Sequence, residues 1–401
     1  MNVVRLEGKV GNVEKSIYVF FDFHVNASEQ TKCDDIRSED VAKYMVDTFD
    51  EARKANPKQS YDFFFERGPL RPYLHDTRLK GIYLEQVSEL FMKSFEIDLE
   101  KKKVQKSTKV PNVRFHHTDI RDYVLDILFF WNLLSGHQLY ERFNIDNFKR
   151  VREDMLYVGN QMFHLQKMIY EGKENPKLKK MYFSKYQDIR RELSPEDYSD
   201  IAKNTIHKLR NSYENKGVKD KINKIIDNEL AQIFDGTFNL INQCLNKLDS
   251  LIDAHEKFGG HNPLDILLRQ DDGTYSYGFS FREREETVLN IVGDITDIKD
   301  AVSKIGVILM DLYLLRRFLD KKYVTRALSY TGAHHSNDYM LFLVKHFDFK
   351  ITHYSYLRDN NIKEAEEAIK AMNDATELSI LLYPPLFLQC SDMTNFPPLF
   401  T

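Results

Sequence analysis

Two apolar runs at opposite ends of this chain stop in the same kind of polar group, and that pairing constrains the fold most. Near the start, Ile17-Tyr18-Val19-Phe20-Phe21 runs into Asp22-Phe23-His24. Near the end, Val324 to Thr331 runs into Gly332-Ala333-His334-His335. Runs of this length, rich in β-branched and aromatic residues, read as buried strands. Open α/β sheets build their sites at the carboxyl ends of strands. Residues from the two ends of the chain are therefore expected to face one pocket, which makes an enzyme, or a protein descended from one, the leading reading.

The segments between support a sheet with helical crossovers. Val3 to Val10 and Ile17 to Val25, joined through Gly11-Asn12, predict a β-hairpin. Glu39 to Ala55 and Tyr83 to Phe95 carry apolar residues at helical spacing. Tyr61 to Glu66, stopped by Arg67-Gly68-Pro69, and Val113 to His117 predict short buried strands. This β-α-β alternation implies an α/β fold with a mostly parallel central sheet and flanking helices. From Asp122 to Phe258 strand signals vanish and long helical periods take over, which predicts a large all-helical insertion. The expected organisation is residues 1–121 as the first part of the α/β core, 122–258 as the insertion, and 259–401 as the second part of the core with a C-terminal tail. In that last part Tyr275 to Phe281 reads as a strand, Thr287 to Leu319 as a helix and Tyr323 to Thr331 as a strand. His334 to Phe347 then reads as a helix, Phe349 to Tyr354 as a strand and Ile362 to Leu378 as a helix. The tail, with Pro384-Pro385 and Pro397-Pro398, is expected to run irregularly over the surface.

Four predicted strand ends present chemistry. The first offers Asp22 and His24, whose i, i+2 spacing puts both on one face of an extended segment. The second offers Glu66. The third offers His116, His117, Asp119 and Arg121. The fourth offers His334 and His335 after Gly332. Histidine with carboxylates can hold a divalent ion in an open site or serve as general acid and base. An arginine such as Arg121 can clamp a carboxylate or phosphate. Each signal alone has an ordinary reading: a paired surface acid, a residue beside a helix cap, a structural histidine. Adjacent histidines on a strand point to opposite faces, so at most one of each pair can serve a given pocket. The coincidence of four such strand ends gives the functional reading its weight.

Composition excludes several classes. The formal net charge is -4, so no global basic field argues for nucleic acid. Three cysteines, Cys33, Cys244 and Cys390, stand far apart without a CxxC pair, which fits a reducing compartment and argues against a disulfide scaffold or a thiolate zinc site. The first residues lack a signal-peptide pattern, and the longest apolar stretch, Val124 to Leu134, is interrupted by Asp126 and Asn132 and is too short to span a bilayer. No GxGxxG, GxxxxGK[ST], HExxH or GxSxG is present. The expected setting is cytoplasmic, or a virion.

Taken together, an early strand ending in a GxxH-like element, a second ending in Glu and a late one ending in GxxH resemble the TraB/Tiki, ChaN and erythromycin esterase-like superfamily. Gly332-Ala333-His334-His335 matches the GxxH. The early motif is Phe21-Asp22-Phe23-His24, with Phe21 where that superfamily has Gly. Phe64-Phe65-Glu66-Arg67-Gly68 is close to its apolar-Glu-Gly pattern. The resemblance covers Ser16 to Arg121 and Tyr323 to Tyr354. It implies an α/β fold with a central sheet and helical insertions, and a hydrolase of a small molecule or peptide, metal-dependent in some members. Carried over, His24, Glu66 and His335 form the catalytic or metal set. Asp22 and Asp119 orient the imidazoles and Arg121 binds an anionic part of the substrate. A manganese, cobalt or zinc ion would draw its ligands from Asp22, His24, Glu66, His334 and His335. Hypothetical proteins of large DNA viruses look similar, with a DxH start, an Arg114, Asp119, Arg121 segment and a GAHH-like end. The heavy use of Lys, Asn, Ile and Asp agrees with such an origin. The competing expectation is a non-enzymatic virion or self-associating protein built on a decayed enzyme fold. A nucleic-acid factor is a third.

Overall fold

In the computed structural model, described over residues 1–24, 38–66, 83–95, 109–124, 145–170, 200–257, 280–386 and 390–401, the chain divides into two compact units. The first comprises Met1–Ile120, Tyr213–Ile222 and Leu309–Thr401; the second comprises Arg121–Ser212 and Asn223–Ile308. The second unit thus ends at Ile308, and residues 213–222 belong to the first.

In chain order the elements are β1 (Asn2–Val10), β2 (Val13–Asp22), β3 (Ser38–Asp40), α1 (Val41–Ala55), β4 (Tyr61–Phe65), α2 (Tyr83–Phe95) and β5 (Val113–His117). Then come α3 (Arg121–Val124), α4 (Ile145–Ile169), α5 (Asp200–Asn211), α6 (Lys216–Ile225), a π turn (Ile226–Leu230), α7 (Ala231–Lys257) and α8 (Ser280–Asp320). The chain closes with β6 (Arg326–Gly332), α9 (Ala333–Phe347), β7 (Lys350–Tyr354), α10 (Ile362–Ala371), α11 (Ser379–Leu382) and β8 (Cys390–Asp392). The expectations on Gly68, Lys101 to Lys106, Gly259-Gly260 and the strand from Tyr275 lie outside the described residues. So does the helix from Tyr123 beyond Val124.

The main sheet has the order β5-β4-β6-β2-β1-β7. β5, β4, β6 and β2 are parallel to their neighbours, while β1 runs antiparallel to both β2 and β7. Only β1 is reversed, so the sheet is mostly parallel. Its reversal follows from the tight turn at Gly11, whose φ of +61° suits a residue without a Cβ. From β2 the chain walks through β4 to β5 in one direction. From β6 it walks to β7 in the other. Right-handed crossovers in opposite directions put the connecting helices on opposite faces. The first-face core joins Val41, Met45 and Phe49 of α1 and Phe91 and Phe95 of α2 to Phe63, Phe65 and Tyr330 of the strands.

β6, which follows β2, β4 and β5 in sequence, lies between β4 and β2 and pairs in parallel with both. Asp22 pairs with Gly332 at the end of β2, and Phe65 pairs with Tyr330 at the end of β4. The three carboxyl ends therefore lie side by side, with Gly332 between the other two.

Two expectations are corrected. The tail does not lie on the surface throughout: Phe400 is fully buried among Tyr18, Tyr44, Phe49 and Tyr61, with ring centroids 5.1, 5.7, 5.2 and 6.4 Å away. Its aromatic ring gains more by leaving water than an irregular surface course would offer. Consecutive left-handed residues, Leu399 and Phe400 (φ 57° and 55°), turn that ring inward, and β8 pairs with β3. The cysteines are not all reduced either: Cys390 is disulfide-bonded, whereas Cys244 is free and buried, with burial pushing its thiol up to about 12.

Candidate active site

The site forms where β2, β6 and β4 end. Asp22, the last residue of β2, is buried and fully engaged. Its Oδ2 accepts from the Tyr330 hydroxyl at 2.6 Å. Its Oδ1 accepts from the His24 backbone N–H at 2.7 Å and lies 3.1 Å from His24 Nδ1. This local loop bends the chain: His24 sits at φ +53°, a conformation a branchless glycine would adopt freely and a histidine adopts only when held. The result aims His24 Nε2 back over the sheet end while leaving the side chain 41% exposed.

β4 delivers Glu66. Its N–H donates to the Tyr330 carbonyl at 3.1 Å, extending the ladder by one bond past the strand. Its Oε2 accepts from the Gly332 N–H at 2.5 Å, and its Oε1 lies 3.3 Å from His335 Nε2. A methyl group placed on Gly332 would sit 3.0 Å from His24 Nε2 and 3.2 Å from Glu66 Oε2. Imidazole and carboxylate thus converge on one point above the end of β6. The φ of Gly332 is -52°, so glycine is needed there for space rather than for backbone freedom.

His335 is the third member. It lies in the first turn of α9, buried, with Nδ1 2.8 Å from Asp311 Oδ1 and Nε2 facing Glu66. Asp311, on α8, is fully buried, and its Oδ2 has no hydrogen-bond partner among the described residues. The Tyr339 hydroxyl is buried beside Asp311 and Glu66.

The electrostatics follow from this geometry. Burial disfavours the His335 cation, but Asp311 and Glu66 outweigh it and raise its pKa well above the ordinary value. For His24 the surrounding protein also disfavours the cation, while the hydrogen bond and charge of Asp22, with Glu66, raise its pKa overall. Burial, with Asp311 and Glu66 nearby, drives the Tyr339 phenol far above its usual range, so it stays protonated.

Of the residues singled out from the sequence, Asp22, His24, Glu66 and His335 come together. His334 lies at the rim, exposed, its ring centroid 6.4 Å from that of His335. Asp119 is buried beyond the end of β5, on the far side of β4 from Gly332. Arg121 opens α3 in the second unit. His116 and Arg114 are tied to a different group. His116 Nε2 lies 2.8 Å from Asp62 Oδ1, and Arg114 donates from Nε at 2.8 Å and Nη2 at 2.5 Å to the two Asp62 oxygens. Asp62 sits at the start of β4, so this cluster braces the opposite end of the strands. Sequence reasoning missed Asp311, Tyr330 and Tyr339. One signal could have found the first: Asp311 is a lone acid in the apolar run Val307 to Leu315.

The donor set does not fit a divalent ion as arranged. Both His335 nitrogens face carboxylates, both Glu66 oxygens are engaged, and His24 Nδ1 faces Asp22. Among the described residues no group of three His, Cys, Asp or Glu is placed to hold a metal. Each His335 nitrogen already faces a carboxylate, which leaves neither directed at an open position.

A family model described as a family of unknown function, DUF5847, matches residues 1–401. The chain belongs to the DUF5847 family. The chain is also similar to three Acanthamoeba polyphaga mimivirus proteins. Uncharacterized protein R706 is 32% identical over 99% of this chain and 95% of the relative. Uncharacterized protein R161 is 30% identical over 99% and 96%. Uncharacterized protein R160 is 29% identical over 99% and 95%. The chain thus has relatives in a large DNA virus, in line with its composition. No solved structure matches the chain. Among the described residues, no helix of this DUF5847 protein is long and apolar enough to cross a membrane.

Proposed function

We propose that this DUF5847 protein is a hydrolase that activates water at the carboxyl end of its central strand, by the chemistry of the TraB/ChaN/erythromycin esterase-like type. The observation that carries the reading is the convergence of His24 Nε2 and Glu66 Oε2 on one point beside Gly332. A water molecule at that point can donate one hydrogen bond to each. In the neutral tautomer fixed by Asp22, His24 carries its proton on Nδ1 and offers the Nε2 lone pair. As the water oxygen bonds to an acyl carbon, its proton passes to His24 Nε2. The tetrahedral adduct then collapses, the bond to the leaving oxygen breaks, and the leaving group takes that proton from His24. Glu66 orients the water, its own carboxylate held by the Gly332 N–H at Oε2 and facing His335 at Oε1. No metal is used in this reading.

The test is release of nitrophenol from a panel of p-nitrophenyl esters by the wild-type chain and by His24→Ala and Glu66→Gln. Loss of a general base costs roughly 10²- to 10⁴-fold. Hydrolysis that survives both substitutions unchanged would remove the site from the reaction.

A further inference from the structure

The amino ends of the parallel strands hold a cationic cluster that the proposed reaction does not use. Arg114 of β5 gives Nε and Nη2 to the two Asp62 oxygens, and Nη2 also donates to the Tyr323 carbonyl at 2.9 Å. Its Nη1 is left without a bond among the described residues. Its guanidinium carbon lies 4.9 Å from the centre of the Tyr323 ring. Arg317, in the last turn of α8, reaches the same ring at 5.9 Å. Among the described residues Arg317 has no carboxylate partner, and its buried Nε meets no acceptor. The Tyr323 side is open: that residue is 49% exposed, and Lys322 beside it is exposed too.

We infer that Arg317, Arg114 and Tyr323 form a binding site for the phosphate group of a small molecule, at the opposite end of the strands from Glu66. The site does not depend on the hydrolase reading. A purely structural role does not account for Arg317. Cations favour a helix C-terminus, but that end of α8 is already covered from inside. Lys15 Nζ donates to the carbonyls of Phe318 at 2.9 Å, Lys321 at 2.8 Å and Val324 at 2.5 Å. The neighbouring acids are also taken. Asp62 holds Arg114 and His116, while Asp320 and Glu214 pair with Lys321. A buried N–H without an acceptor is a net cost, which an incoming oxyanion removes.

Charge and shape select the ligand. Three cations, Arg114, Arg317 and Lys322, stand against the one carboxylate of Asp62. His116 adds no charge near neutral pH, because burial lowers its pKa despite Asp62. The excess of positive charge matches a phosphate dianion better than a single carboxylate. Guanidinium groups present their donors in a planar fork that fits phosphate oxygens. Two such groups beside one ring can take different oxygens of a tetrahedral anion, whereas a planar carboxylate has only two to share. Tyr323 holds both guanidiniums by cation–π attraction, so part of the ordering is in place before the ligand arrives.

The experiment is titration of the full chain, labelled with ¹⁵N-arginine, with inorganic phosphate and with pyrophosphate near neutral pH and at low salt. Sodium acetate at matched ionic strength is the control. The Arg317 Nε–H signal is assigned by its loss in Arg317→Gln. Phosphate and pyrophosphate should move that signal along a saturating curve, and acetate should not. Calorimetry with the same probes should show affinity about 10- to 100-fold lower in Arg317→Gln, the size expected for loss of a charged hydrogen bond. Tyr323→Ala should weaken binding as well and serves if Arg317→Gln does not fold, which melting curves establish. A shift that never saturates overturns the inference. So does a response to acetate equal to that to phosphate, or an affinity that the folded variants leave unchanged. Because no ester is used, failure here is separate from failure of ester hydrolysis.

Discussion

The Gly332 N–H donates to Glu66 Oε2 at 2.5 Å, a bond that ties the end of β6 to the end of β4 and points the Glu66 carboxylate toward His24. This contact sets the tolerance of the site. Replacing Gly332 by Ala would bring a methyl within 3.0 Å of His24 Nε2, tighter than ordinary packing allows. His24 is exposed enough to swing away, so Gly332→Ala should fold with a loss of about 1 kcal/mol. Its His24 should titrate at a lower pH once parted from Glu66, which ¹⁵N-histidine spectra would register. An unchanged His24 titration in the folded variant would show that the two groups do not share the space.

Asp22→Asn should act on His24 in a different way. The amide can still accept from the His24 backbone N–H, so the bend survives, but the charge that holds the imidazolium is gone. The His24 midpoint should fall by about one unit, and the thermal midpoint should move little. Histidine NMR and a melting curve check the two halves.

The pH dependence of stability has a definite sign. His335 has a raised pKa in the folded chain, so its ion pairs stabilise fully below the unfolded value of about 6.5 and the contribution is lost as pH rises through the folded value. The stability gap between wild type and His335→Gln should therefore be widest in mild acid and close on the alkaline side. Chemical denaturation at several pH values measures it.

At the other end of the strands the sign reverses. Burial disfavours the Asp62 carboxylate, but Arg114 and His116 outweigh it and lower its pKa. Its contribution is present above the unfolded value of about 3.9 and is lost as pH falls through the folded one. Asp62→Asn should cost about 2 kcal/mol at neutral pH, less than a fully buried pair would because Arg114 is partly exposed. It should also flatten the acid limb of the stability profile and leave the His24 titration where it was.

Phe400→Ala should be among the costlier single changes, at about 3 to 5 kcal/mol, because the ring is fully buried in an aromatic cluster. Urea unfolding followed by tyrosine fluorescence reads it, and a cost under about 1 kcal/mol would place the tail outside the core.

What could be read beforehand follows the range of the interactions. The hairpin through Gly11-Asn12, the helices from Val41 and Tyr83, and the strands from Tyr61 and Val113 are encoded by local apolar pattern and turn chemistry. His24, Glu66 and His335 were legible because each ends or follows such a run, and parallel strands bring their ends together. Asp311 was not, because its partner is reached only through the packing of α8, and a single acid in an apolar stretch does not say what it meets. His116 was misassigned to the rim because only the register of β5 on β4 reveals Asp62 beside it. Phe400 was misread because prolines mark an irregular path without saying whether that path runs inward. The fold of residues 125–144 and 171–199 lies outside the described residues.

A high-resolution crystal structure of the wild-type chain at neutral pH tests the central claim most directly. The account predicts an ordered water bonded to both His24 Nε2 and Glu66 Oε2 beside Gly332, with His335 between Asp311 and Glu66. A His24 ring turned into bulk solvent, with Glu66 paired elsewhere and no shared water, would contradict it.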